Sequence, residues 1–295
     1  MRALRCLALL FALPGAAAAQ QPVDRGMAVD PDVSIRIVNL AGRTVVRGWD
    51  ADSVSVRGTL APGGASFYMG GGRRGVKVGV ENPAEAGATK ESTLEVRVPH
   101  GARVWVKGAT AGITVEGVSG EVDVSSVSGT VSVSGTPSLL TAESMDGDVD
   151  VTARARVTRV RTAGGDVTLR GAAGDVSVTS VSGTIRLLES DVAVGRIESV
   201  SGAVTFRGAV AKGGTLDLQT HDAPIELTLA QGQGAVVDVA AFGGTISNAI
   251  PGVVGKAVKG KPTRYEVGSG DAKISVRSLK GGVRLRRMMP RPNPS

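Results

Sequence analysis

The chain has 295 residues, of which 42 are Gly, about twice the usual share, while Phe, Trp and Tyr together make up only 3%. With 42% hydrophobic and 21% charged residues it is neither a disordered nor a collagen-like chain, and so few aromatics argue against an ordinary large globular core. The formal charge is +7, and nucleic-acid binding is disfavoured by the mixed signs along the chain and by the scarcity of aromatics for stacking.

Arg2 and Arg5 precede the apolar run Leu7 to Leu13, which ends at Pro14-Gly15 and four alanines. This pattern predicts a secretory signal peptide over residues 1–19, with Ala17 and Ala19 at the cleavage positions. Cys6 is the only cysteine and lies inside that leader. The mature chain is therefore expected to have no disulfide, no thiol chemistry and no Cys-ligated metal. No later apolar stretch approaches about 18 residues, so no membrane span is expected after the leader. Residues 20–32 read as a linker.

Residues 33–104 read as an N-terminal β cap. Val33 to Val38, Arg43 to Trp49, Ser53 to Leu60, Val76 to Val80 and Thr93 to Val98 look like strands, and hairpins are expected to cover the first coil of the repeat region that begins at residue 105. The stretch Gly63 to Gly75 reads as a break. Within it, Gly70-Gly71-Gly72-Arg73-Arg74-Gly75 lacks the Gly-Lys-Ser/Thr of a phosphate-binding loop and is taken as a hairpin loop.

Residues 105–287 are built from a repeat. An apolar residue is followed seven positions later by another in Val106 and Ile113, Val124 and Val131, Ala142 and Val149, Val160 and Val167, Val178 and Ile185, Ile197 and Val204, Leu218 and Ile225, Val239 and Ile246, and Val267 and Ile274. Most copies are about 18 to 21 residues apart, and apolar and polar residues alternate around each anchor, as in Val131-Ser132-Val133. Each copy thus holds two short strands that cannot stand alone but can pair in parallel with their equivalents in the next copy. The expected fold is an all-β, single-stranded parallel β-helix of about nine coils, with a right-handed coil favoured by crossover preferences. Two residues before the second anchor stand Gly129, Gly147, Gly165, Gly183, Gly202 and Gly244, where a corner demands either positive φ or close approach between coils. The next residue is Thr130, Asp148, Asp166, Thr184 or Thr245, a turn-capping type. Val283 to Arg287 reads as a last strand whose charges discourage end-to-end growth, and 288–295 as a disordered Pro-rich tail.

The opening Val33-Ser34-Ile35-Arg36-Ile37-Val38-Asn39-Leu40-Ala41-Gly42, then Val45-Val46-Arg47-Gly48-Trp49-Asp50, the Ser-Val-Ser-Gly repeats and Gly268-Ser269-Gly270 resemble a family of bacterial exported β-strand-repeat proteins, a domain of unknown function labelled "putative adhesin". The resemblance covers roughly residues 30 to 287. It implies a parallel β-helix at the cell envelope, in surface attachment or envelope-stress sensing, and brings no catalytic residues with it.

Along the outward-facing columns the signs alternate and hydroxyls dominate. The best carboxylate cluster is Asp217, Asp238 and Glu266, expected on neighbouring coils. Such a cluster can titrate as a pair or hold a hard cation, but a solvated acidic face is the simpler reading. Asp146 to Asp150 lacks the rest of a calcium loop, and Asp148 is taken as a turn cap. His100 and His221 have no local ligand partners. No catalytic, cofactor or metal residue is therefore expected. The leading expectation is a non-enzymatic exported β-solenoid binding or scaffold protein of the envelope, periplasmic or at the surface, acting as a monomer on a polysaccharide or protein partner and not on nucleic acid. The alternative is a polysaccharide-binding or polysaccharide-cleaving β-helix, using those carboxylates or Trp105.

Overall fold

The computed structural model describes residues 21–82 and 90–289; the expected leader, residues 1–19, lies outside them. All 24 elements among the described residues are strands, joined in one sheet that winds around an apolar core.

The rod has two main faces, each a ladder of parallel strands. From the N-terminal end the first face runs Gly75–Glu81, Ser34–Val38, Arg103–Lys107, Glu121–Ser126, Leu139–Ser144, Val157–Thr162, Ala173–Ser180, 194–199, 215–220, Ala272–Ser278 and Ala235–Ala241. The second runs Ser92–Pro99, Gly42–Trp49, Gly112–Glu116, Val131–Gly135, Val149–Ala153, Val167–Arg170, 185–188, 204–208, Ile225–Leu229, Val283–Arg287 and Ile246–Asn248. Each face thus stacks eleven strands, one per coil, over about 50 Å at the usual strand spacing. Where the repeat lengthens, short segments at 173–174, 190–192 and 208–210 pair as a third ladder, which uses the extra residues.

The anchors from Val106/Ile113 to Leu218/Ile225 pair as expected. Beyond them the order changes. Leu218 pairs with Val276, not Val239, and Val276 in turn pairs with Val239. The last coil of the chain, 272–287, is inserted between the coils 215–229 and 235–248. The ninth copy is therefore Val276 and Val283, again seven apart, and not Val267 and Ile274. Val267 belongs to Thr263–Val267, which runs antiparallel to Ala235–Ala241 and closes that end.

The N-terminal end mirrors this arrangement. Residues 33–104 supply two further coils in addition to caps: 34–49 lies between 75–99 and 103–116. Ser53–Leu60 and Ser66–Gly72 then cover the outer coil as antiparallel strands. Gly70 to Gly72 belong to a strand, and only Arg73 and Arg74 form the turn. The stretch read as a linker is also a strand, Gln21–Ala28, antiparallel to Ser53–Leu60 over its whole length. Its polar outward residues and Pro22 disguise it, yet those are what suits an edge strand that must not recruit another chain. Of the expected tail, residues 290–295 lie outside the described residues, while the Met288 amide donates to the Leu229 carbonyl at 2.8 Å.

The core is filled by Val, Ile, Leu and Ala, with Phe206 the largest fully buried side chain. Such a narrow interior leaves little room for aromatics. The corner glycines have a single cause. None of Gly129, Gly147, Gly165, Gly183, Gly202 and Gly244 has positive φ, but a Cβ on any of them would fall against a backbone carbonyl of the neighbouring coil, as Gly165 against Gly147 and Gly183 against Gly165. Close approach, not backbone handedness, selects glycine there.

Where the residue after that glycine is aspartate, it ties coils together and does not cap its own turn. Asp148 Oδ1 accepts from the Asp166 amide at 2.8 Å, and Asp166 Oδ1 accepts from the Thr184 amide at 2.8 Å. Partial burial pushes the Asp166 carboxyl up, but the Thr184 amide and the Arg186 guanidinium at 3.0 Å outweigh it and hold it below its ordinary value. A group depressed on folding stabilises the fold above its unfolded pKa and loses that contribution as pH falls through its folded value. Asp166→Asn is therefore expected to lower the melting temperature at neutral pH, with the gap from the parent closing below about pH 4. Circular-dichroism melts between pH 7 and 2.5 check this; a gap constant across that range would contradict it.

Candidate functional site

The carboxylates singled out from the sequence do not form one cluster. Asp217 lies opposite Ser275, and Ser275 opposite Asp238, so the inserted coil separates the two acids by two strand spacings, about 10 Å at the backbone. Each acid is also matched by a cation. Arg264 donates to both oxygens of Asp238, at 2.8 and 3.0 Å, and the guanidinium pKa is raised by that hydrogen bond first and by the carboxylate charge second. Glu266 is 3.1 Å from Lys256, and Asp217 is 3.8 Å from Arg277. A groove of about 410 Å3 runs between Asp217, Asp238, Arg264 and Lys273. Asp217 and Asp238 are too far apart to share a proton, and among the described residues no group of three His, Cys, Asp or Glu side chains is placed to hold a metal.

The basic C-terminal stretch is explained by the same insertion. Lys280 is 2.8 Å from Asp222, and Arg284 and Arg286 are 4.0 and 3.6 Å from Glu226. Val283–Arg287 is an interior coil between Ile225–Leu229 and Ile246–Asn248, so its charges neutralise neighbours and do not repel a second rod at an open end. His100 Nδ1 lies 2.6 Å from the Gly117 carbonyl and Nε2 lies 3.4 Å from Asp50, a link between coils at the surface.

Two surface features are not evident from the sequence. The first is a ridge at the corner between the two faces. Each coil turns there through a short motif of the kind Ser126-Val127-Ser128-Gly129, and the second residue of the motif points out. Leu40, Val127, Met145, Val181, Val200, Leu279 and Phe242 occupy this place and all are exposed, Phe242 by 74%, while Ala109, Ala163 and His221 hold it on the coils between. Corner hydrogen bonds hold them in file: the Val127 amide donates to Ala109, Met145 to Val127, Ala163 to Met145, and Phe242 to Ser278. The signal is present in the repeated Ser-Val-Ser-Gly, but the valine reads as core until the corner geometry turns it outward.

The second feature is a groove of about 640 Å3 on the first face near its N-terminal end, lined by Tyr68, Gly70, Gly71, Lys77, Arg36 and Trp105 among others. Trp105, Arg36 and Lys77 are directly opposite one another on three adjacent strands. Tyr68 lies over Gly79, where a Cβ would strike its ring. Trp105 stands out in the sequence as a candidate for sugar contact, but the partners that complete the groove come from Ser34–Val38 and the 66–81 hairpin, brought alongside only by the out-of-order coil.

No family model matches the chain, and no curated protein matches it. Solved structures similar to it include a "putative adhesin" from Parabacteroides merdae, with a TM-score of 0.47 and 11% identity over 90% of this chain and 96% of that one. Another "putative adhesin", from Bacteroides fragilis, has a TM-score of 0.35 and 11% identity over 91% and 98% of the two chains. A "putative cell adhesion protein" from Clostridium sporogenes has a TM-score of 0.25 and 9% identity, covering 91% of this chain and all of that one.

Proposed function

We propose that the chain is a non-catalytic binding rod, exported to the bacterial cell envelope, that holds a partner protein along its outer surface in attachment or as a scaffold. The observation that carries this reading is the apolar ridge. Soluble proteins rarely leave an extended row of large apolar side chains in water, and where they do it marks an interaction surface. Leu40, Val127, Met145, Val181, Val200, Leu279 and Phe242 repeat this exposure along most of the rod. A largely apolar line, broken only by His221 between Val200 and Leu279, suits a protein surface better than it suits a polysaccharide, whose exterior is mostly hydroxyl. Export rests on the leader pattern at residues 2–19. The pairing of Asp217, Asp238 and Glu266 with Arg277, Arg264 and Lys256 favours binding over acid–base catalysis.

A triple variant, Val127→Ser, Val181→Ser and Val200→Ser, tests the reading. Each side chain is about half exposed, so the expected change in stability is within about 0.5 kcal/mol per site. Attachment of cells displaying the variant to envelope fractions or host surfaces is expected to fall severalfold. Unchanged attachment would remove the ridge as the binding line. Turnover of any glycan by residues 20–295, lost on Asp217→Asn or Asp238→Asn, would overturn the non-catalytic part.

A further inference from the structure

We propose that the groove at the N-terminal end of the first face binds a carboxylated saccharide, a uronate-containing glycan, with the sugar ring against Trp105 and Tyr68 and the carboxylate on Arg36 and Lys77. The inference adds a ligand class to the binding role proposed above and does not depend on the ridge.

The argument begins with an electrostatic mismatch. Arg36 is paired in register with Lys77 on one side and with Trp105 on the other. Two like charges directly opposite on neighbouring strands, about 5 Å apart, destabilise a sheet. Several cations at this end of the rod are matched by acids: Arg57 by Asp24, Arg73 and Arg74 by Asp30, Arg47 by Glu95 and Glu116. Arg36 and Lys77 are exposed, and neither forms an ion pair among the described residues. A bound anion would relieve the repulsion, and a planar guanidinium beside an ammonium suits a carboxylate, which accepts two parallel hydrogen bonds from the first and a point charge from the second.

The shape supplies the other half. The strand neighbour of Lys77 away from Arg36 is Gly70, which has no side chain to cover it, and Gly71 continues the open floor. On either side stand the half-buried Trp105 and the exposed Tyr68, the latter set in place over Gly79. Aromatic surfaces flanking a shallow groove offer flat apolar contact to the C–H face of a pyranose, while keeping a polar rim for its hydroxyls. A volume of about 640 Å3 admits one or two sugar rings. Beyond Trp105 the same column continues to Asp123, so the cationic stretch ends at the indole and the carboxylate end of the ligand is directed to Arg36 and Lys77. A simple phosphate would satisfy the cations but would leave both aromatic walls unused.

The test titrates purified residues 20–295 with pentagalacturonate, with its fully methyl-esterified form, and with inorganic phosphate, followed by calorimetry. The acid is expected to bind at least about tenfold more tightly than the ester, which keeps the rings and removes the charges, and to weaken as salt is raised. Arg36→Gln with Lys77→Gln should abolish the preference for the acid. Trp105→Ala should weaken acid and ester alike. Gly79→Ala, which displaces Tyr68, should weaken both with the cations intact, provided its melt remains cooperative; Tyr68→Ala serves if it does not. Equal affinity for acid and ester, phosphate binding as tight as the pentasaccharide, or no binding at all would each overturn the proposal. Any of these results with ridge-dependent attachment intact would leave the binding-rod reading standing.

Discussion

Val167→Asp is expected to destroy cooperative folding of the rod. Val167 is fully buried, with Val149 on one side and Ile185 on the other in the second ladder, and both of these are fully buried as well. A carboxylate there has no cation to meet and no water, and the cost exceeds about 4 kcal/mol. In a solenoid every coil is held by its two neighbours. Breaking a middle coil therefore also exposes the apolar ends of both halves. The matched control is Thr168→Asp, one residue further on, where the side chain faces outward between Asp150 and Arg186 and the change should stay within about 0.5 kcal/mol. Urea unfolding followed by circular dichroism distinguishes them: Val167→Asp should lose the single sharp transition that Thr168→Asp keeps. A parental transition in Val167→Asp would mean that this column faces solvent.

The middle of the rod is readable because its two signals reinforce one another. The seven-residue offset fixes which residues share a coil, and the alternation around Val131, Val149, Val167 and Ile185 fixes which of them face in; the pairing found for these residues agrees with both. Periodicity is a local property, however, and says nothing of stacking order. Val276 and Val283 carry the same offset as the other copies, yet Val267 and Ile274 carry it too, and only the antiparallel pairing of Thr263–Val267 shows which pair is the coil. The acids share that ambiguity. Asp217 and Asp238 belong to consecutive copies in sequence, but a later part of the chain lies between them and brings Arg277 with it. Gln21–Ala28 is hidden in the sequence because an edge strand carries no alternating apolar face, and only Val23 along it is buried. The aromatic groove is half visible: Trp105 stands out as a rare residue, but its neighbours Arg36 and Lys77 are far from it in sequence and come beside it by the same out-of-order stacking at the other end.

That stacking order leads to the second large effect. Ending the chain at Asp271 removes the coil 272–287, including the buried Ile274, Val276, Val283 and Leu285, each contributing roughly 1.5–3 kcal/mol through burial. If coils were stacked in chain order, the loss would be confined to the last coil, and 235–248 would remain stacked on 215–229. In the observed order the removed coil is the link between them. Ala235–Ala241 has no parallel partner other than Ala272–Ser278, and Ile246–Asn248 none other than Val283–Arg287, among the described residues. Leu218 and Ile225 would lose the same support from the opposite side. Hydrogen exchange measured by mass spectrometry should show 103–188 still protected in the truncated chain, 235–248 and 263–267 exchanging freely, and 215–229 weakened to the protection of an open end. Continued protection of 235–248 would show that this coil can dock directly on 215–229. The insertion would then be a late closing step and not what holds the C-terminal coils in place.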